Sequence, residues 1–254
     1  MSGALSAYIL CATPRTGSTL LCRLLNSAGA GDPDSFFSRR FVPEWGEAWG
    51  LPPQDTLSPE AFAKAYLEAA IRAGRGGTAT FGLRLMRDSI DDLDDLVDLV
   101  HPGLPPGRAR FEHAFGPLLY VHLSRRDKLD QAISLVKAEQ TGLWHVAPDG
   151  TELERLAPPK EPGYDFERLH REVQDLEAFD AGWNAWFEEQ GIQPHRIAYE
   201  ELSADPAEEL ARLCAALGIA APDRRDAKPA VAKLADDTSR EWARRYSADL
   251  AASN

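Results

Sequence analysis

The stretch from Ala7 to Thr19 constrains this chain more than any other. Ala7-Tyr8-Ile9-Leu10-Cys11-Ala12 is a short, unbroken apolar run, the pattern of a strand covered on both faces. A polar turn bearing one glycine follows at residues 13–17. Leu20, Leu21, Leu24, Leu25 and Ala28 then recur at helical spacing until Gly29 stops the pattern. Strand, glycine-bearing turn and helix, in that order, open an α/β fold, because a strand apolar on both faces needs layers on both sides of its sheet.

The rest of the chain repeats that alternation. Residues 80–86 and 118–123 read as further buried strands, and Ile197-Ala198-Tyr199 as a short one. A helix is expected after Ser58, with Ser58 as cap, Pro59 at its first position and Gly74 as its stop. Others are expected across 88–100, from Leu129 onward, over 165–190, and from the capping box Asp205-Pro206-Ala207-Glu208 to Gly218. Residues 32–53 carry no clean period, 102–106 read as a turn, and the Pro- and Gly-rich 147–163 as a surface loop. No repeat and no convincing boundary interrupts the series. Residues 1–254 are therefore expected to form one domain, a parallel sheet flanked by helices.

Charge narrows the partners. Twenty-eight Lys and Arg against 40 Asp and Glu give a formal net charge of −12. That balance disfavours a nucleic-acid or anionic-membrane binder, whose affinity comes from a basic face, but leaves room for one small anion in a local basic pocket. Asp91, Asp92, Asp94, Asp95 and Asp98 alternate with Ile90, Leu93, Leu96, Val97 and Val100, which makes them the solvated face of an amphipathic helix and not a calcium loop. No apolar run reaches the length of a membrane span, and the first twelve residues lack a charged leader. Cys11, Cys22 and Cys214 are widely spaced in apolar surroundings and read as buried thiols, so a cytoplasmic location is expected.

The turn itself carries chemistry. Against the nucleotide-binding pattern G-x-x-x-x-G-K-[ST], Ala12 stands for the first glycine, Gly17 for the second, Ser18 for the lysine and Thr19 for the final hydroxyl. Backbone N–H groups at such a helix start still cradle a phosphate. The lysine that reaches the β- and γ-phosphates is gone, and a positive charge reappears earlier as Arg15. The loop suits a terminal 5′-phosphate better than a triphosphate. A second candidate is His122-Leu-Ser-Arg125-Arg126-Asp127, where two arginines stand at the carboxyl edge of a strand with Ser134 two helical turns on. Arg and Ser so placed suit another phosphate. No acid ends this strand to hold magnesium, as a nucleotide hydrolase would want.

These segments resemble the sulfotransferases that use 3′-phosphoadenosine 5′-phosphosulfate (PAPS), and in particular the bacterial trehalose 2-sulfotransferase family. YILCATPRTGSTLL, GDPDSFF, FGLRLM, HLSRRDKLDQAISLVKAEQTGLW and ADDTSREWARRY match that family's landmarks in the same order. The resemblance implies a P-loop-like sulfotransferase fold, with PAPS as sulfuryl donor and no metal. It makes Pro14, Arg15, Thr16, Gly17, Ser18 and Thr19 the 5′-phosphosulfate loop. Ser134 with either Arg125 or Arg126 becomes the 3′-phosphate site; the family's spacing favours Arg125. The implied acceptor is a hydroxyl of a carbohydrate or other small metabolite, and the implied assembly a homodimer. Lys233 and Arg240 are further candidate contacts to the nucleotide.

The sequence also departs from the family. Counted back from Phe36-Phe37, the family's catalytic glutamate is replaced by Ser35, whose hydroxyl has no useful basicity at neutral pH. Asp34 next door is the alternative base. Arg84 stands near the place where cytosolic relatives carry a catalytic lysine and histidine, and is a candidate to stabilise the sulfuryl group. The aromatic segment from Phe36 to Trp49, with Trp144 and His145, is a candidate acceptor lining. Two other classes stay open at this point: a P-loop-type kinase of a small metabolite, and a nucleotide-binding relative that has lost catalysis.

Overall fold

A computed structural model describes residues 5–224 and 236–253. In chain order the elements are β1 (Ala7–Ala12), α1 (Ser18–Ser27), α2 (Val42–Ala48), α3 (Pro59–Arg75), β2 (Phe81–Met86), α4 (Ile90–Val100) and α5 (Arg108–Phe115). They continue with β3 (Leu118–Ser124), α6 (Lys128–Thr141), β4 (Leu143–Val146), β5 (Glu152–Arg155) and α7 (Phe166–Glu189). The last are β6 (His195–Ala198), α8 (Tyr199–Ala204), α9 (Pro206–Leu217) and α10 (Asp237–Ser253).

The main sheet has the order β2-β1-β3-β6, and every pairing in it is parallel. All six residues of β1 are fully buried. Their side chains alternate, as a strand must: Ala7, Ile9 and Cys11 join a core with α3, α4, α5 and α7, whereas Tyr8, Leu10 and Ala12 join one with α1 and α9. The unbroken apolar run is thereby explained, since neither face meets water. A third cluster ties α6 and α7 to α10 through Ile133, Val136, Leu169, Trp242 and Tyr246.

The registers Ala12↔Met86, Ala12↔Leu123 and Ser124↔Ala198 bring all four carboxyl ends to one edge. The chain passes from β1 outward to β2 and returns on the other side to β3. The crevice between β1 and β3 is thus the switch point at which open α/β sheets bind ligands.

Several expectations need correction. The α3 helix does not stop at Gly74 but runs through Arg75, and Gly76 closes it with φ 53°. Gly74 serves a close approach instead, for a Cβ there would lie 2.6 Å from the Gly82 carbonyl oxygen. Residues 32–53 are not irregular throughout, because they contain α2. The turn at 102–106 leads into α5, whose eight residues bury Phe111 and Phe115 but are too few to show a period. Within 147–163, β5 pairs antiparallel with β4 as a hairpin. Tyr199 begins α8 and does not end a strand.

Candidate active site

The carboxyl edge of the sheet opens into a cleft of about 1330 Å³. Its floor is the loop after β1, which the surrounding side chains hold rigidly. Gln131, fully buried on α6, donates from Nε2 to Thr13 Oγ1 (2.9 Å) and to the Pro14 carbonyl (2.6 Å). Thr16 Oγ1 donates to the Thr13 carbonyl (2.8 Å), and Trp183 Nε1 to the Ala12 carbonyl (2.9 Å). Gly17 precedes α1 in the left-handed region, φ 83°, and no side chain caps the helix. A Cβ at Gly17 would stand 2.8 Å from the Tyr199 ring, so the turn needs glycine twice over.

Arg15 is the one non-glycine residue of positive φ among the described residues, at 63°. Left-handed backbone costs an L-residue roughly 1–2 kcal/mol and tends to persist where function demands it. Its Nε donates to Ser134 Oγ (3.0 Å) and its Nη1 to the Trp144 carbonyl (2.7 Å). Burial, and then the neighbouring Arg125 charge, lower this guanidinium from its ordinary value to about 10, so it remains cationic at neutral pH. Among the described residues no carboxylate lies within ion-pair distance of it. Arg125 lies over the Tyr199 ring at 4.6 Å and reaches Asp130 Oδ2 at 3.4 Å. Lys128 braces it by donating to the Arg125 carbonyl (2.5 Å) while pairing with Asp180. The two candidate anion sites are thus contiguous, joined by the Arg15–Ser134 hydrogen bond.

The structure separates the two arginines of that corner. Arg125 lines the cleft; Arg126 is 63% exposed, pairs with Glu201 and does not line it. Pro14, Gly17, Ser18, Thr19 and Ser134 also line it, whereas the Thr16 side chain is buried beneath the loop. Arg240 is exposed and pairs with Asp237 on its own helix, and α10 offers Thr238 and Ser239 to the cleft instead. Lys233 lies outside the described residues.

Across the cleft, Arg84 at the end of β2 organises the remaining candidates. It donates to Ser35 Oγ (Nε, 2.9 Å), Thr19 Oγ1 (Nη1, 3.1 Å) and Asp34 Oδ1 (Nη2, 2.5 Å). Asp34 Oδ1 accepts as well from the Ser35 N–H (2.6 Å). Asp34 therefore holds Arg84, and it lines an adjoining smaller cleft, not the main one. Phe36, Trp45 and Trp49 were expected at an acceptor pocket but pack on one another and on Tyr66 against the core. Only Ser38, Arg40, Phe41 and Glu44 of that region reach the main cleft.

The β4–β5 hairpin contributes what the sequence left vague. His145 Nε2 is 3.0 Å from Thr19 Oγ1 and 3.5 Å from Glu154 Oε2. Burial, then the charges of Arg15, Arg84 and Arg23, lower its pKa from 6.5 to about 4, so the ring is neutral at neutral pH. Glu154 was not a candidate at all. No motif marks it, because its approach to His145 depends on a strand pairing with register shifts.

A parallel sheet whose first strand feeds a cation-bearing, glycine-containing loop at an uncapped helix start has the architecture of a P-loop-like α/β transferase. The comparisons give the particular family. The Stf0 sulphotransferase profile matches residues 7–249, and the chain belongs to that family. It is 30% identical to a trehalose 2-sulfotransferase of Mycobacterium tuberculosis (strain Erdman), over 98% of this chain and 97% of the relative. It is 28% identical to one of Mycolicibacterium smegmatis, again over 98% and 97%. A sulfotransferase domain from the Synechococcus PCC 7002 olefin synthase superposes with a TM-score of 0.47 and 17% identity, covering 92% of this chain and 82% of that domain. The protein is a sulfotransferase enzyme, and family membership displaces the kinase alternative.

Proposed function

We propose that the protein transfers a sulfuryl group from PAPS to a hydroxyl of a small carbohydrate, trehalose being the first acceptor to try because the relatives above are trehalose 2-sulfotransferases. The observation that carries this reading is the convergence, in one cleft, of the uncapped α1 terminus with Arg15, Arg125 and Ser134. Two partly buried guanidiniums that repel each other, Arg125 pairing with Asp130 and Arg15 with no carboxylate at ion-pair distance among the described residues, make a fitting site for a multiply charged anion.

In this reading the N–H groups of Gly17, Ser18 and Thr19, with Arg15, hold the 5′-phosphosulfate end, and Arg125 with Ser134 holds the 3′-phosphate. The donor supplies a sulfuryl group activated as a mixed anhydride. The chain supplies position and charge: the loop fixes the reacting end, while Arg15 and Arg84 neutralise charge that grows as the bond breaks. Ser38, Arg40, Glu44 and Trp144 line the side from which an acceptor would enter.

Incubating the protein with PAPS and trehalose, followed by mass spectrometry, tests this. Equal amounts of sulfated disaccharide and adenosine 3′,5′-bisphosphate are expected. Transfer to no sugar hydroxyl in a panel of mono- and disaccharides would remove the acceptor class. A cytoplasmic location fits the three free, buried cysteines, and no described helix is long and apolar enough to cross a membrane. The homodimer suggested by the family is checked by sedimentation.

A further inference from the structure

Sulfuryl transfer to a hydroxyl needs a group that accepts the acceptor's proton. Ser35 cannot, and Asp34 Oδ1 is held by Arg84 and the Ser35 N–H. Of the histidines near the sheet's carboxyl edge, His122 is sealed in the core, its Nε2 lying 3.9 Å from Asp180. His145 alone of these two lines the cleft, with Glu154 beside it.

We infer that His145, supported by Glu154, is the base of this enzyme, so that the proton acceptor comes from the β4–β5 hairpin and not from the position of Ser35. The inference rests on the sulfuryl-transfer reading above. Thr19 Oγ1 accepts from Arg84 and, in this assignment, donates to His145 Nε2, the neutral ring carrying its own proton on Nδ1. Nε2 is thus the basic atom, and it faces the loop on which the reacting end would sit. When the acceptor oxygen bonds to sulfur, its O–H bond breaks, its proton passes to Thr19 Oγ1, and the Thr19 hydroxyl proton passes to Nε2. The electron pair of the broken sulfur–oxygen bond remains on the donor's phosphate. The Glu154 carboxylate, 3.5 Å from Nε2, then stabilises the positive charge of the imidazolium.

The same geometry makes the base depend on the donor. The charged groups around His145 are Arg15 on the loop, Arg23 on α1, Arg84 on β2 with its partner Asp34, and Glu154 on β5. Burial and the three cations together keep the ring weakly basic. An anion bound at Arg15 cancels part of that field, so His145 gains basicity only when the donor is in place.

Imidazole NMR on the full, ¹⁵N-histidine-labelled chain reads this directly, with adenosine 3′,5′-bisphosphate as probe and calorimetry to follow its binding. His145 is expected to titrate well below the usual 6.5 in the free protein and at least about one unit higher in the complex. An unchanged or lower value in a complex that calorimetry shows to be formed would overturn the inference and leave the sulfuryl-transfer reading standing. Failure of the bisphosphate to bind would overturn both. With PAPS and trehalose, His145→Gln should lower kcat about 10²–10⁴-fold while bisphosphate affinity stays within about threefold. Glu154→Gln should move the acid limb of the kcat profile to lower pH. Wild-type kcat and an unmoved acid limb in His145→Gln would contradict the assignment.

Discussion

The two walls of the cleft are built differently. The wall around Arg15, Arg125 and Ser134 stands on the ends of β1 and β3 and the starts of α1 and α6, with Thr13, Thr16 and Gln131 fully buried beneath it. The other wall, a short hairpin tied to the first through the Arg15–Trp144 and Thr19–His145 contacts together with an aromatic-backed segment, leaves Leu153 and Leu156 exposed. Sheet ends are fixed by the fold, so a group bound there is held the same way however the rest of the chain varies. A hairpin attached by two short strands can change its residues and register at little cost to the core. In the proposed function, this divides a constant donor from a variable acceptor.

That contrast can be broken by substitution, and the largest effects belong on the rigid wall. Arg15→Ala should lower kcat about 10²–10³-fold, the usual loss when one preorganised donor to a developing charge is removed; a steady-state assay decides. Next comes the pH response of stability. The His122 and His145 rings are both held near 4, below the unfolded imidazole value of 6.5, by burial first and then by neighbouring cations, which at His122 work against Asp180. The unfolded chain therefore takes up protons that the native one refuses. Stability, complete above about pH 6.5, should fall as pH drops toward 4, by roughly 3 kcal/mol for each ring, measured by urea titration across that range. Saturating bisphosphate should lessen the His145 share and leave the His122 share intact.

A smaller effect separates the neighbouring arginines. Arg125→Ala should weaken bisphosphate binding about 10–100-fold, matching the roughly 1.5–3 kcal/mol of a charged hydrogen bond, by calorimetry. Arg126→Ala, which breaks only an exposed pair with Glu201, should stay within about twofold. Smallest of all is Ser35→Ala, for which kcat within about threefold of wild type is expected, since Ser35 only accepts from Arg84 Nε. A large loss there would return the catalytic centre to the Asp34–Ser35 segment and away from the hairpin.

The legibility of the sequence follows the same division. The β1–loop–α1 corner could be read because strand burial, the glycine and the missing lysine all fall within thirteen consecutive residues. Likewise, Asp205 at the start of α9 caps it by accepting from the Glu208 N–H, as the local pattern indicated. By contrast, nothing local tells Arg125 from Arg126; the direction of the chain as it leaves β3 decides that one faces the cleft and its neighbour meets Glu201 on α8. Phe36, Trp45 and Trp49 resembled an acceptor lining because aromatics are ambiguous between stacking on a sugar and packing in a core. Their packing on one another, and of Trp49 on Tyr66 from the following helix, is visible only in three dimensions. Glu154 was invisible for a related reason, since its strand has no apolar alternation and its partner His145 lies across a turn.

The central claim, that an acidic chain concentrates positive charge at one rigid edge to hold a 3′,5′-bisphosphorylated nucleotide, is tested most directly by a thermal shift series. Adenosine 3′,5′-bisphosphate, adenosine 5′-monophosphate and ATP with magnesium are compared on the wild-type protein. At a hundred times its dissociation constant the 3′,5′-bisphosphate should stabilise by about 2.7 kcal/mol, with a weaker response to the monophosphate. A response confined to ATP with magnesium would contradict the claim.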